Sequence, residues 1–164
     1  MQEATASKHR ESPDTREFLQ RFQATGTVGL YYVAFLGMRT YVVGRILENV
    51  QRGLPYKSWD RLLGNTEIDK DQLLRMVQIT ARTLSRRKEE GRLEPDESDR
   101  LLRASRLFAY ALALFEGQAD AARHWLTTAQ SALGDVTPVE LGATEIGARE
   151  VEALIGRLEH GIPS

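Results

Sequence analysis

The sequence predicts an all-α protein, in which a helical bundle containing a helix-turn-helix is followed by a second, smaller helical domain. Two observations predict this fold class. Apolar residues recur at helical spacing along most of the chain. The apolar stretches are separated by glycines, prolines and small polar residues of the kind that start and stop helices. The exception is residues 28–37, a β-branched and aromatic run that suits one short strand near the N-terminus or the start of a buried helix.

Composition limits the kind of protein this can be. The chain has 164 residues, of which 41% are hydrophobic and 27% charged, the balance of a globular protein with a real core. It has no cysteine, which excludes disulfides and zinc–thiolate sites and suits a reducing cytoplasm. The polar start has no apolar signal core, and the run TVGLYYVAFLGM is too short to span a bilayer. We therefore expect a cytoplasmic protein that is not inserted in a membrane.

The first half of the chain predicts three elements besides the run at residues 28–37. Residues 1–24 are polar with balanced charges and predict a mobile tail, with at most a helical turn near Phe18 and Phe22. Residues 40–52 predict a helix that ends at Gly53. Its expected buried face is Val43, Ile46, Leu47 and Val50. Pro55 opens a further helix that ends at Gly64-Asn65, with an apolar stripe of Trp59, Leu62 and Leu63.

The second half predicts six helices. Two short ones cover residues 69–77 and 80–90, the second capped by Thr80 and ended by Gly91. The longest runs from Pro95 to Gly117, and its expected apolar face is Leu101, Ala104, Phe108, Ala111, Leu112 and Phe115. A shorter helix covers residues 120–127 with Trp125 and Leu126 inward, and Pro138 begins a single turn. Thr144 caps the last helix, whose expected buried face is Val151, Leu154, Ile155 and Leu158.

The segment IDKDQLLRMVQITARTLSRRKEEG has the layout of a DNA-binding helix-turn-helix. Its second helix carries four positive residues and no acid between Thr80 and Lys88. Such a helix can present arginines to base edges and phosphates, and the predicted DNA-binding residues are Thr80, Arg82, Ser85, Arg86 and Arg87. The alternative is a solvated basic face on an ordinary bundle. One short helix makes few phosphate contacts. We therefore expect specific binding to need two copies of the protein on a two-fold operator.

The sequence contains little that resembles an active site. His9, His124 and His160 stand apart, without the spacing of metal ligands. No glycine-rich phosphate loop, HExxH or GxSxG motif occurs. We therefore expect no enzymatic activity, no cofactor and no metal.

The chain end is acidic and carries apolar residues. Residues 136–164 contain five acids and two bases, a net charge of −3 before the terminal carboxylate is counted. From the residues alone, the favoured interpretation of this acidic segment is an ordinary surface helix that closes the bundle.

The stretch ALGDVTPVELGATEIGAREVEALIGRLEHGIPS closely resembles the C-terminal domain of the Xre/ParS/MbcA-type antitoxins. The residues that carry the resemblance are Ala132-Leu133-Gly134, Thr137-Pro138, Glu140-Leu141, Thr144, Gly147, Val151, Leu154 and Gly161. The upstream stretch RTLSRRKEEGRLEPDESDRLLRASRLFAYALALF is similar to the same family's helix-turn-helix and long helix. Asp135 and Gly142 depart from the pattern, since a second glycine and a larger residue are usual there.

The resemblance implies a specific role. Antitoxins of this type bind and silence a toxin of the RES class, an enzyme that consumes NAD or transfers its ADP-ribose, and the pair represses its own operon. The resemblance runs from about Arg52 to the end of the chain. We expect a helix-turn-helix DNA-binding domain at residues 25–116 and a toxin-binding domain at residues 117–164. We expect the chain end to enter or cover the toxin's active site, through Arg157, His160, Gly161, Ile162, Pro163 and Ser164.

Two further expectations concern partners. We expect a homodimer within a larger toxin–antitoxin complex, with the dimer surface on either residues 27–38 or the long helix around Phe108 and Phe115. The main alternative is a stand-alone dimeric helix-turn-helix regulator that has no toxin partner. A third interpretation is a neutralising protein whose helix-turn-helix no longer binds DNA.

Overall fold

The computed structural model of the protein describes residues 11–162. These residues form nine α helices and two 3-10 helices, with no sheet, so the all-α prediction is confirmed. The α helices are α1 Pro13–Thr25, α2 Val43–Arg52, α3 Tyr56–Thr66, α4 Lys70–Val77, α5 Ala81–Glu90, α6 Pro95–Leu114, α7 Ala119–Leu126, α8 Pro138–Leu141 and α9 Glu145–Glu159. The 3-10 helices are Tyr31–Leu36 and Ser131–Leu133. Within the described residues, no helix is both long and apolar enough to cross a membrane.

Helix α6 is the centre of the structure. Pro95 occupies its first turn, where a missing N–H costs nothing, and Glu97 accepts a hydrogen bond from the Glu94 N–H at 2.8 Å. Its side chains Leu101, Leu107 and Leu112 are fully buried. Helices α2, α4, α7 and α9 and the first 3-10 helix all pack against it. One helix therefore supports both the helix-turn-helix and the C-terminal helices.

The mobile tail predicted for residues 1–24 is wrong from Pro13 onward, because this segment forms α1. Phe18 is fully buried, with its ring 4.9 Å from that of Phe35. Asp14 is also buried and accepts hydrogen bonds from two arginines and an amide distant in sequence, namely Arg39, Arg61 and Asn65. The balanced charges of this segment predicted a tail, but Phe18 and Asp14 anchor it to the body as a helix. Residues 1–10 of the predicted tail lie outside the described part of the chain.

The apolar run at residues 28–37 is neither a strand nor an α helix but contains the 3-10 helix Tyr31–Leu36. Its residues Tyr32 to Leu36 are buried, between α1, α3 and α6. Gly37 has φ +81°, which ends the helix and turns the chain toward α2. An element that is covered on all sides has no period of apolar residues, so periodicity did not identify it.

Several predicted burial patterns are wrong at the edges of the bundle. On α2, Ile46 and Val50 are buried against the body, whereas Val43 and Leu47 are 55% and 51% exposed. Leu158 is 40% exposed and lies in the last turn of α9, where residues 158–162 are all exposed. Helix α3 continues through Gly64-Asn65 to Thr66.

Both surfaces predicted for dimer contact lie largely inside the protein. The core of residues 27–38 is buried, and Phe108 is only 1% exposed. Phe115 is partly buried and packs against Trp125. Neither segment can therefore serve as the main dimer surface without unfolding part of the core.

Candidate functional site

The helix-turn-helix consists of α4, the turn Gln78–Thr80 and α5. Asp69 caps α4, and the Thr80 hydroxyl accepts a hydrogen bond from the Thr83 N–H at 3.1 Å, which confirms the predicted cap on α5. Gln78 ends α4 in the left-handed conformation, with φ +58°. Leu84 is buried, so the side of α5 that carries it packs against the core. The local sequence therefore sets both helices and the sharp turn between them.

Three predicted DNA-binding residues share one exposed side of α5. Arg82, Ser85 and Arg86 are exposed and lie three and four residues apart, so they share a face of the helix. We call these three residues the recognition face. The Arg86 guanidinium is 4.0 Å from Glu90, a weak surface contact that leaves the side chain 62% exposed. Thr80 stands at the N-terminal end of the same helix.

Arg87, the remaining predicted DNA-binding residue, points elsewhere. Its side chain is 11% exposed, and its Nε and Nη2 donate to the Glu97 carboxylate at 2.8 and 2.9 Å. Burial alone would raise the pKa of Glu97, but the hydrogen bonds from Arg87 hold that pKa below its usual value. Arg87 thus ties α5 to α6 and is not free to contact DNA. Its position three residues after Leu84, on the core side of the helix, is the sequence signal that could have shown that Arg87 faces inward.

A row of arginines on α6 joins the helix-turn-helix to the C-terminal helices. Arg100 donates to the Val77 carbonyl at 2.6 Å, at the end of α4. Arg103 donates to the Ala143 carbonyl at 3.0 Å, just before α9. Arg106 completes the row, with its donors 3.0 Å from Glu145 and 2.5 Å from Glu152. The spacing of three between these arginines was visible in the sequence, but their partners were not.

Helix α9 is anchored strongly at its start. Thr144 accepts a hydrogen bond from the Gly147 N–H at 3.0 Å, as predicted for its cap. Partial burial would raise the pKa of Glu145, but Arg106 holds that pKa below the usual value. Along the inner side, Val151, Leu154 and Ile155 are buried. The first two-thirds of the helix are therefore fixed to the body of the protein.

The end of α9 is shaped by backbone hydrogen bonds. Gly161 has φ +65°, its N–H donates to the Leu158 carbonyl, and the Ile162 N–H donates to the Arg157 carbonyl at 2.9 Å. This pair of hydrogen bonds ends the helix sharply, as predicted for Gly161. Ile162 is 53% exposed, His160 and Gly161 are exposed, and Arg157 is half-buried. Pro163 and Ser164, also predicted to bind a partner, lie outside the described residues.

Large exposed apolar side chains occur at two places in the described chain. One group lies at the start of α2 and comprises Val42, Val43 and Leu47. The other lies on α9 and just after it and comprises Ile146, Leu158 and Ile162, of which Ile146 is 80% exposed. Residues 11–162 contain no group of three or more His, Asp or Glu side chains arranged to hold a metal ion.

Comparison with known families matches both halves of the chain. Residues 45–106 match the antitoxin Xre-like helix-turn-helix domain. Residues 111–161 match the antitoxin Xre/MbcA/ParS C-terminal toxin-binding domain. The first match contains α4, α5 and most of α6, and the second contains α7, α8 and α9.

Three curated proteins, each named antitoxin Xre, are similar to the chain. The protein from Photorhabdus laumondii is 39% identical over 116 residues, which cover 70% of this chain and 78% of the relative. The protein from Yersinia enterocolitica is 37% identical over 118 residues, covering 71% and 80%. The protein from Pseudomonas putida is 34% identical over 97 residues, covering 58% and 57%.

Proposed function

Because the chain belongs to the Xre family of antitoxins, we propose that it binds and silences a partner toxin and represses its own operon. We assign operator binding to residues 25–116, with the recognition face of α5 directed at the DNA. We assign toxin binding to residues 117–164, with α9 and the chain end as the contact. The observation that carries this assignment is the exposure of Ile146 at the start of α9 and of Leu158 and Ile162 at and beyond its end, while Val151, Leu154 and Ile155 anchor the middle of the helix.

We propose that the toxin is of the RES class, the class that the resemblance of the C-terminal segment implies. A pocket that holds the pyrophosphate of NAD carries positive charge. The acidic C-terminal segment, with a net charge of −3 over residues 136–164, complements such a pocket. Ile162 follows the sharp stop at Gly161 and is 53% exposed, so a partner can reach it. The tail blocks the toxin by occupying the place of NAD.

The test uses the chain together with the product of its neighbouring gene. We expect the two to co-purify and cells that express both to survive. Deletion of residues 161–164, or addition of several residues after Ser164, should abolish protection while DNA binding persists. The same residues added before Met1 form the matched control and should leave protection unchanged. Full protection by both C-terminal variants would overturn the tail mechanism, and failure to co-purify would favour a stand-alone regulator.

We also propose that the protein acts as a homodimer. The recognition face offers only two arginines, so one copy gains little phosphate-binding free energy and two copies on a two-fold site gain more. The exposed apolar group at the start of α2 is the candidate contact, since it belongs to the operator-binding part of the chain. Burial of these side chains between two copies would remove them from water.

A further inference from the structure

A group of basic side chains lies beside the C-terminal end of α5. The segment after α5 runs antiparallel to the segment before α3, and the Tyr56 N–H donates to the Gly91 carbonyl at 3.0 Å. This pairing brings Lys57 of α3 close to Arg92, and Arg92 in turn contacts the backbone of Arg52 at the end of α2. All three side chains are exposed. We call Arg52, Lys57 and Arg92 the basic loop group.

The three cations have no anionic partner in the described part of the chain. Arg92 donates through Nη1 to two backbone carbonyls at the end of α2, those of Arg52, at 3.5 Å, and Gly53. Its Nε and Nη2 make no hydrogen bond or ion pair with a described residue, and neither does the guanidinium of Arg52 or the ammonium of Lys57. The basic loop group therefore presents positive charge that is open to an external anion.

The acids that flank the segment after α5 do not neutralise this group. Glu90 and Glu94 approach a different arginine, with carboxylate oxygens 3.1 and 3.9 Å from Nη1 of Arg87. Because Arg87 lies on the core side of α5, the charges of these carboxylates are matched away from the basic loop group.

The start of α3 lacks the anion that the starts of α4, α6 and α9 carry. An α helix has unpaired N–H groups and partial positive charge in its first turn, so a cation there is unfavourable. Lys57 is nevertheless the second residue of α3, the first turn contains no acid, and Pro55 supplies no side-chain cap. The Lys57 N–H donates to no described residue. A bound anion would accept from this N–H and offset both positive charges.

The start of α4 is a poor site for a phosphate. In a helix-turn-helix the first helix crosses the DNA backbone while the second lies in the major groove. Here α4 begins at the exposed residues Asp69, Lys70 and Asp71, so two carboxylates repel a phosphate and one ammonium attracts it. The basic loop group lies at the other end of α5, a helix that spans about 15 Å. That length is comparable with the major groove, which is about 12 Å wide.

We propose that Arg52, Lys57 and Arg92 bind the sugar–phosphate backbone of the operator where it borders the groove that receives the recognition face. Lys57 binds one phosphate through its ammonium and its backbone N–H, and the two arginines bind the neighbouring phosphates. These contacts carry no base information, so they set the position of α5 on the DNA and leave the choice of bases to the recognition face. This inference rests on the proposed operator binding.

Two variants each remove one positive charge from the basic loop group, namely Arg52→Gln and Lys57→Gln. The matched control is Lys70→Gln, which removes one positive charge from an exposed side chain at the start of α4. Lys57→Gln takes a cation away from a helix N-terminus, so the melting temperature should stay the same or rise. Weaker DNA binding by that variant would therefore not result from unfolding. Thermal unfolding verifies that all three variants are folded.

The measurement is the affinity for two duplexes of equal length, one from the region upstream of the gene and one of unrelated sequence, across salt concentrations. We expect Arg52→Gln and Lys57→Gln to weaken binding to both duplexes by a similar factor, about fivefold at physiological salt. Each should also lower the salt slope by about one. Lys70→Gln should match the parent on both duplexes.

Several results would overturn the phosphate contact. One is parent-like binding of both duplexes by Arg52→Gln and Lys57→Gln, and a lower slope in Lys70→Gln alone would assign the contact to α4. A loss confined to the upstream duplex also overturns it, since that pattern indicates base reading. Variants that keep DNA binding but no longer co-purify with the neighbouring gene product assign the group to a protein partner. A parent that binds neither duplex overturns the proposed operator binding itself.

Discussion

The guanidinium of Arg87 and the carboxylate of Glu97 form two parallel hydrogen bonds, at 2.8 and 2.9 Å, in the interior between α5 and α6. Such a forked pair is stronger than a single charged contact and fixes the orientation of both groups. Because of this pair, Arg87 anchors the basic helix α5 to α6. The recognition face therefore lies on the outer side of α5, whose inner side is held to the core by Leu84 and Arg87.

Removal of one member of this pair should destabilise the fold. In Arg87→Ala the Glu97 carboxylate stays buried without its main partner, so we expect the free energy of unfolding to fall by about 3–5 kcal/mol. Arg86→Ala, next along the same helix but exposed, should change it by less than about 0.5 kcal/mol. Urea unfolding measures both. Equal stabilities of the two variants would contradict the structural role of Arg87.

The same pair predicts how stability depends on pH. The pKa of Glu97 is lower in the folded protein than its ordinary value of 4.5, so the unfolded chain binds a proton first as the pH falls. The stabilisation is complete above that ordinary value and is lost as the pH falls through the lower, folded-state pKa. Urea unfolding from neutral pH into the acid range should show a shallower acid loss for Glu97→Gln, from a lower stability at neutral pH. Glu89→Gln, an exposed control, should follow the parent.

The recognition face predicts the DNA-binding phenotype of single variants. Loss of an arginine that contacts a base should cost about 1–3 kcal/mol and relax specificity, whereas loss of a phosphate contact weakens binding evenly and lowers the salt slope by about one. Mobility shifts of Arg82→Ala and Arg86→Ala across salt concentrations distinguish these cases. Arg16→Ala, an exposed arginine on α1, is the control. Unchanged binding in both test variants would remove α5 as the recognition helix.

Two glycines on α9 should respond to alanine in opposite ways. A Cβ at Gly147 would overlap with the Leu141 carbonyl oxygen, so Gly147→Ala must displace the loop before α9 and lower stability by about 1–3 kcal/mol. A Cβ at Gly156 meets nothing within 4 Å, so Gly156→Ala should raise stability by about 0.5–1 kcal/mol through helix propensity. Thermal and urea unfolding measure both changes. A stabilised Gly147→Ala would contradict the tight approach at this loop.

The exposed apolar group on α2 predicts the assembly state. Leu47→Glu places a charge at the proposed dimer contact and should shift the protein toward monomer, since burying an unpaired charge is unfavourable. Gln51→Glu, an exposed position one turn further along α2, is the charge-matched control. Light scattering over a range of concentrations measures the mass. A parent protein that is monomeric both alone and with the toxin would refute the dimer.

Features that depend on near neighbours could be predicted from the sequence. Thr80 and Thr144 cap helices through bonds to residues three positions away, and Gly161 ends α9 through its own backbone conformation. Helical spacing of apolar residues located α4, α5, α6 and α9, and the motif around Thr137-Pro138 indicated the family. These signals are visible in the sequence because each arises within about one or two helical turns.

Long-range packing determines which polar side chains are anchors and which apolar ones are exposed. Asp14 meets partners 25, 47 and 51 residues away, and these contacts hold α1 where a tail was expected. Arg87 is an anchor through Glu97, ten residues on, and Gln78 reaches a carbonyl 65 residues away. Leu47 is exposed although it shares a helix with buried neighbours. A charge can be buried only where its partners converge, and an apolar face is covered only where another element packs, so both depend on contacts that no local pattern encodes.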